Sequence, residues 1–594
     1  VWYLLAMALL RQGKSALSAF QKTAELSPND AGAQMNLGNS LQADSQFEQA
    51  LQSFHRALTL QPDYAEVHNN LGLTLLKLGK LENALASFRR AIEINPNYAN
   101  AYNNLGVAFR ELGRLDEASK SYRKALGINP GYVNAHNNLA LTLISLGQIH
   151  AATLSYRKAL EIKPDFFEAH TGLLFGLNYT DSKVSDYLNE ALRYGENVAK
   201  KVTARFTHWQ CPPRPQKLRV GIVSGDLKNH PVSHFLESFL GYIDTSHIEL
   251  IAYSNNTEED DLTARIKPYF IQWRQISTLQ NAAVAQLIHG DGIHVLLDLA
   301  GHTDKNRLPV FAWKPAPVQT TWLGYFASTG VAEMDYILGD KWTLPDNEAH
   351  HFVEKGWPLP DTLHCLTCPT EHIAVEPLPA LKNGFLTFGT LNNIAKMNDR
   401  VVACWARILN SLPGSHLYLN TKFLRDESAK RNVISRYAAH GISEDRLILE
   451  STTGRMVALE SYRKIDIALD PFPYPGGTTS YESLWMGVPV LTMQGQRYIS
   501  HLGESILHNA GLSDWIARDE DDYVAKAIAF AGDLPKLAAL RAGLREQVRV
   551  SPLFDAPRFA KNFEVALWGM WEAKLPTLSG RLQASSSAHR EHSA

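Results

Sequence analysis

Apolar positions follow two different rhythms along this chain of 594 residues. Over residues 1–167 they recur at helical spacing inside a longer step, with Pro28, Pro62, Pro96, Pro130 and Pro164 each 34 residues after the last. Gly38, Gly72 and Gly106, followed by Ala140, keep that step, and so do Ala50, Ala84, Ala118 and Ala152. Phe54, Phe88, Tyr122 and Tyr156 form a third series. Small residues let antiparallel helices approach, an aromatic fills the groove between them, and proline ends the second helix. The spacing therefore predicts a solenoid of helical hairpins. After His170 the step is lost. A helical bridge is expected to about Thr207, then a Pro-rich linker at residues 211–215.

From Lys217 the rhythm becomes short apolar runs between helical stretches: residues 218–223, 249–253, 294–299 and 318–323. A second set follows at 386–389, 415–419, 447–449, 465–469 and 488–492. Strand–helix alternation predicts two doubly wound parallel sheets with a ligand cleft between their strand C-terminal edges. The expected class is α plus α/β. Its layout is a repeat arm at 1–167, bridge and linker at 168–216, a first lobe at 217–375, a second lobe at 376–573 and a disordered tail at 574–594. The Pro-rich, aperiodic segment 343–383 reads as the connection between lobes.

Composition narrows the function little. A net charge of -2 gives no global reason to bind nucleic acid or an anionic membrane. No apolar run approaches the ~20 residues of a membrane span, and no export signal is visible, so a cytoplasmic setting is expected. Val1 falls inside a helical pattern, as in a truncated or processed product. The four cysteines, Cys211, Cys365, Cys368 and Cys404, are too few for a disulfide framework. Cys365 and Cys368 form a C-x-x-C, but only His364 and His372 lie close by and the flanks are Pro-rich, so no metal or redox site is expected. The acidic runs at 258–261 and 519–522 lack an Asp-x-Asp placed at a strand end.

The richest local signal follows the run 465–469. Gly476 and Gly477 allow backbone N–H groups to approach an anion, and Thr478 and Thr479 open a helix whose dipole favours negative charge. A diphosphate suits that turn, with Glu482 one helical turn on for ribose hydroxyls. Asn393 and Lys396 follow the strand at 386–389, where a cation can neutralise a departing diphosphate. In the first lobe, Asp226 and His230 flank a turn fixed by Pro231. They are either an acid–imidazole pair at the cleft or an Asp cap with a bonded histidine. His170, at a helix end, is structural or a further base. Asn36, Asn70, Asn104 and Asn138 recur at the repeat step. Asn is a mediocre helix former, so the series either ties helices together or offers amides to an extended peptide along the concave face.

Together the Asn-bearing repeats and these strings resemble the peptide O-GlcNAc transferases, glycosyltransferase family 41, whose arm consists of tetratricopeptide repeats. The resemblance implies a GT-B pair of lobes, UDP-N-acetylglucosamine as donor, inversion at the anomeric carbon, and transfer to Ser or Thr hydroxyls of polypeptides. No metal or other cofactor is expected, because the acidic runs offer no Asp-x-Asp at a strand end and Lys396 with backbone donors would meet the leaving-group charge. Carried over by motif, the resemblance implies His170, Asp226, His230 and Lys396 as catalytic; of the two readings of the asparagine series, peptide binding by Asn36, Asn70, Asn104 and Asn138 is the one expected from the repeat spacing. The resemblance also implies Pro231, Leu323, Gly324, Asn393, Lys396, Arg455, Gly477, Thr478, Thr479 and Glu482 as donor-binding, and Leu323 to Tyr325 as the loop lining the sugar pocket. The chain departs from the family at Phe326 for Pro, Ala458 for His, Arg455 for Lys and Gly477 for His. The expected partners are a polypeptide acceptor and a UDP-sugar, without nucleic acid or membrane, and with homo-oligomerisation open. The rival readings are a repeat scaffold with a nucleotide-binding but weakly active transferase half, and a transferase for a non-protein acceptor.

Overall fold

The computed structural model describes residues 1–367 and 373–591, with side chains through Pro576. Two compact units emerge, Val1–Ala169 and His170–Ala594. The first is the solenoid. Its helices pair as Ala31–Ala43 with Phe47–Leu60, Ala65–Lys77 with Leu81–Ile94, Ala99–Glu111 with Leu115–Ile128, and Val133–Ser145 with Ile149–Ile162. Each second helix stops two residues before its proline. The glycine and aromatic series meet: a Cβ at Gly38 or Gly72 would lie 2.5 Å from the Phe54 or Phe88 ring, and one at Gly106 2.6 Å from Tyr122. Those rings are fully buried, so glycine at that step is a packing requirement.

Two bridge helices follow the repeats, Phe167–Leu177, most of which belongs to the second unit, and Val184–Ala199. The first sheet contains β1 (Leu218–Ser224), β2 (Ile248–Ser254), β3 (Gln272–Gln275), β4 (Val295–Asp298), β5 (Val318–Thr321), β6 (Tyr336–Asp340) and β7 (Lys355–Leu359). The second contains β8 (Thr387–Thr390), β9 (His416–Asn420), β10 (Leu447–Glu450), β11 (Ile467–Leu469), β12 (Val490–Met493) and β13 (Ile516–Ala517). Their orders are β3-β2-β1-β4-β5-β6-β7 and β10-β9-β8-β11-β12-β13. Pairing is parallel throughout, for example Val220 opposite Leu250 and Val295. Both sheets reverse direction of winding at their first strand, β1 or β8, and the loops after those strands and their neighbours β4 and β11 form the switch point where such folds bind ligands.

Three expectations change. The segment 343–383 is not only a connection, because β7 lies in it and pairs with β6 over Tyr336–Asp340. The charged, Pro-containing sequence of β7 suits an edge strand and hid it. The second lobe does not keep everything to 573. The helix Ala556–Glu591 returns to the first lobe, where Phe563 packs on Phe239 and Trp322 with centroids 5.1 and 4.9 Å apart. That helix also runs through 574–591, which was expected to be disordered. The packed turns before it supply the costly nucleus, so the helix extends into a segment that also holds the poor helix formers Pro576, Gly580 and Ser585 to Ser587. Among the described residues, no helix is long and apolar enough to cross a membrane.

Candidate functional site

In the second lobe, the loop after β8 closes on itself before presenting its cation. The Asn393 carboxamide caps a short helical turn by accepting from the Ala395 N–H at 3.0 Å, and Lys396 ends that turn. The Lys396 ammonium donates to Asn392 Oδ1 at 3.1 Å and to the Pro475 carbonyl at 2.7 Å, and lies 4.2 Å from the Tyr474 ring centroid. Burial pushes it down to about 8, against the pull of the Asp470 carboxylate. One cation is thus shared between the loops after β8 and β11.

The loop after β11 is folded by Asp470, a buried carboxyl that accepts from the Gly476 N–H at 3.0 Å and the Ser480 hydroxyl at 3.2 Å. The helix Thr478–Trp485 then starts at Gly477 with no side-chain cap; the Ser480 N–H folds back on the Gly477 carbonyl at 2.9 Å, which leaves those of Thr478 and Thr479 to face the loop. The Thr479 hydroxyl donates to Asn392 Oδ1 at 3.2 Å, which ties the helix start to the Lys396 loop. Thr478, half-buried, opens the helix.

Glu482 is buried and receives the Arg455 Nε–H at 2.8 Å. Burial raises this carboxyl, against the pull of Arg455. A second Arg455 nitrogen donates to His234 Nδ1 of the first lobe at 3.2 Å. Burial, then the Arg455 charge, push His234 down to about 4, leaving a neutral ring able to accept. His234 was missed in the sequence because only the fold brings the helix Pro231–Leu240 against Arg455.

Asp226 and His230 lie just before that helix, one turn from His234. The two are 3.7 Å apart at their closest charged atoms, too long for a hydrogen bond. His230 is instead the helix cap, its Nδ1 accepting from the Val232 N–H at 3.3 Å, with Pro231 at the first helical position. Burial raises the Asp226 carboxyl and lowers the His230 imidazole, and their mutual attraction opposes both shifts. After β5, Leu323 takes a left-handed φ of 75°, and a Cβ at Gly324 would come 2.0 Å from the Leu299 carbonyl, so the chain passes too close for any side chain. Phe326, in place of a proline, packs beside the His364 and Tyr498 rings.

His170 is linked to this edge through Tyr194, whose ring lies 4.6 Å from that of His302 in the loop after β4. It is 1 % exposed, its Nε2 bonds the Glu190 carbonyl oxygen at 3.2 Å and lies 2.8 Å from the Glu190 carboxylate, and its ring abuts Tyr194 at 5.4 Å. Helix geometry turns the imidazole into the packing between the bridge helices, which is the structural alternative for this residue. The asparagine series likewise bonds within the solenoid. Asn70 donates to Asn39 at 2.9 Å, Asn104 to Asn69 at 2.9 Å and Asn138 to Asn103 at 3.0 Å. Each of these carboxamides has a second N–H and a second lone pair beyond those bonds. Asn36, also half-buried, continues the row.

Other candidates resolve simply. The acidic runs are helix caps, with Asp260 accepting from the Thr263 N–H and Asp519 from the Asp522 N–H. His364 bonds the Tyr481 hydroxyl at 2.9 Å, while Cys368 and His372 lie outside the described residues. Among the described residues, no group of His, Cys, Asp and Glu is arranged to hold a metal ion. A cavity of about 720 Å³ shares Phe472 and Pro473 with the Tyr474 loop, and on its rim Arg400 bonds both Asp181 and Glu520.

Comparison with known proteins accords with this geometry. The profile of Glycosyl transferase family 41 matches residues 172–366 and 377–563, and that of the tetratricopeptide repeat matches 29–96, 63–130 and 98–165. The chain is 36% identical over 406 residues to the probable UDP-N-acetylglucosamine–peptide N-acetylglucosaminyltransferase SPINDLY of Solanum lycopersicum, covering 67% of this chain and 43% of that protein. It is 30% identical over 370 residues to the probable enzyme of the same description, SEC, of Arabidopsis thaliana, covering 60% and 37%. The chain thus spans less than half the length of these curated relatives. Among solved structures, a mutant Thermobaculum terrenum O-GlcNAc transferase is similar with a TM-score of 0.80 and 32% identity, over 86% of this chain and 98% of that one. With matches over both α/β lobes, and with the switch-point loops built as described, the chain belongs to glycosyl transferase family 41.

Proposed function

We propose that this chain moves N-acetylglucosamine from UDP-N-acetylglucosamine to Ser or Thr hydroxyls of polypeptides, with inversion and without a metal ion. One observation carries the reading. Lys396 is held over Tyr474 between the loops after β8 and β11, beside the uncapped start of the helix Thr478–Trp485. A fixed cation and a set of N–H donors in one place suit the charge that develops on a departing diphosphate. The acceptor oxygen forms a bond to the anomeric carbon as the carbon–oxygen bond to the diphosphate breaks. The electron pair leaves on the diphosphate, where Lys396 and the helix start meet it. The acceptor proton passes to Asp226, whose carboxyl is raised by burial and so better suited to hold it, directly or through water. His170, enclosed between the bridge helices, is assigned to holding them.

The polypeptide acceptor is supported by the repeat arm, whose asparagine amides retain hydrogen-bonding capacity for a peptide backbone. The names of the relatives support the same donor and acceptor. Incubation with labelled UDP-N-acetylglucosamine and a cell lysate tests the reading. Sugar on protein is expected, while label on glycolipid alone would redirect the acceptor. No turnover, together with stabilisation by a different nucleoside diphosphate but not by UDP, would redirect the donor.

A further inference from the structure

The segment 177–180 runs from the end of the first bridge helix toward the second. In the structure it touches both lobes of the cleft. Tyr179 is 5 % exposed, and its ring meets that of Tyr474 with centroids 5.0 Å apart and planes tilted by 39°. Tyr474 is the ring beneath the Lys396 ammonium. Next to it, the buried Asn178 carboxamide donates to the Tyr325 hydroxyl at 3.2 Å, in the loop after β5 of the first lobe. That hydroxyl also bonds Tyr187 of the second bridge helix. From the second lobe, Arg497 donates to the carbonyls of Leu177, Asn178 and Thr180 at 3.4, 3.5 and 2.7 Å. Four consecutive residues therefore fix the cation of one lobe and a cleft loop of the other to a single piece of backbone.

We propose that Tyr179 and Asn178 are positioning residues for sugar transfer, Tyr179 by backing the Tyr474–Lys396 stack and Asn178 by anchoring Tyr325. The assignment rests on the transferase reading above, in which Lys396 must stand where the diphosphate leaves while the first lobe presents the acceptor side. An ammonium over a ring keeps its place only if the ring does, and Tyr474 has Tyr179 packed against it. In-line displacement tolerates little misplacement, since a shift of about 1 Å costs on the order of 10²-fold in rate. The same packing keeps water from the stack, and burial is what brings Lys396 down to about 8.

The test compares Tyr179→Ala and Tyr179→Phe with the parent chain, each checked for a cooperative thermal melt. Its first readout needs no turnover: the pH dependence of acylation of Lys396, followed residue by residue by mass spectrometry. The apparent pKa is expected near 8 in the parent and in Tyr179→Phe, and about one unit higher in Tyr179→Ala, where water reaches the stack. The second readout is the pH profile of kcat/KM. In Tyr179→Ala the alkaline limb should move up by the same amount, while kcat at neutral pH falls about 10- to 100-fold. If Tyr179→Ala does not fold, Tyr179→Leu should shift both readouts in the same direction by less. For Asn178, the cycle of Asn178→Ala with Tyr325→Phe should be strongly non-additive, the double variant being no slower than the worse single one. An unshifted Lys396 pKa in a folded Tyr179→Ala variant overturns the role of Tyr179, and additive losses overturn that of Asn178. Absence of turnover in the parent chain would instead sink the transferase reading, and the acylation readout would still decide whether Tyr179 governs Lys396.

Discussion

At the end of β4 the first lobe places Asp298, and after β11 the second places Asp470. Both are buried carboxyls that fold the loop that follows. Asp298 accepts from the N–H groups of Ala300 and Gly301 and from the Thr321 hydroxyl, at 3.1, 2.8 and 2.9 Å, and burial pushes it up to about 6. Asp470 accepts from Gly476 and Ser480, and burial raises it too. The strands beside them, β1 and β8, hold equivalent places in the two sheet orders. The loops differ in what they add. After β8 comes a shielded cation, Lys396, and after β1 a shielded carboxyl, Asp226. Winding sets where a ligand sits, and under the proposed function loop composition sets which half of the reaction each lobe would perform.

That division of labour is broken most severely at Lys396. Lys396→Ala should lower kcat by about 10²- to 10³-fold and weaken UDP, as expected for loss of a preorganised donor to a leaving group. Steady-state kinetics should place most of the loss in kcat. Opposite it, Asp226→Asn should lower kcat by about 10²-fold with UDP affinity preserved, because the proposed proton acceptor and not the proposed diphosphate site is removed. His170→Gln should leave the pH profile of kcat/KM in place and instead cost about 1–3 kcal/mol of stability, by denaturant titration, through its buried bond to Glu190.

An effect of similar size probes how the lobes are held together. His501 lies between Glu504 of its own helical turn and Glu348 of the first lobe, bonding Glu348 at 3.2 Å, with His351 on the far side of Glu348 at 3.3 Å. Its bonds to the two carboxylates outweigh burial and raise it to about 9. Since that lies above the value of about 6.5 in an unfolded chain, its stabilisation is complete below pH ~6.5 and is lost as pH rises through about 9. The melting temperature should fall over that window, and His501→Gln should flatten the fall, a difference of roughly 3 kcal/mol. The smallest effect is expected in the arm. Asn104→Ala removes bonds to Asn69 and Asn103 and should cost about 1 kcal/mol in denaturant titration. It should also weaken the KM for protein acceptors with no change for the donor.

Much of this was legible in the sequence where structure is local. The solenoid declares itself because Gly38 and Phe54 meet, and their successors meet again 34 residues later. The apolar strands β1, β4, β8 and β11 were found because strands covered on both faces read as continuous apolar runs. Polar edge strands such as β3, with the sequence Gln-Trp-Arg-Gln, carry no such run. The site was legible as far as one loop reaches: Lys396, the glycine turn and Glu482 each fall in a recognisable string. Tyr179 against Tyr474, and His234 against Arg455, join residues more than 200 positions apart and have no local signature. His170 and the asparagine series were visible as residues, but which way they face is decided by helix packing.

The most direct measurement is calorimetric titration of UDP, with chelator present, into the parent chain and into Lys396→Ala. If Lys396 and the start of the helix Thr478–Trp485 form the diphosphate site, the parent binds UDP without metal and the variant binds at least about tenfold more weakly, a loss of roughly 1.4 kcal/mol. Equal affinity in the two proteins, or no binding by the parent chain, would contradict it.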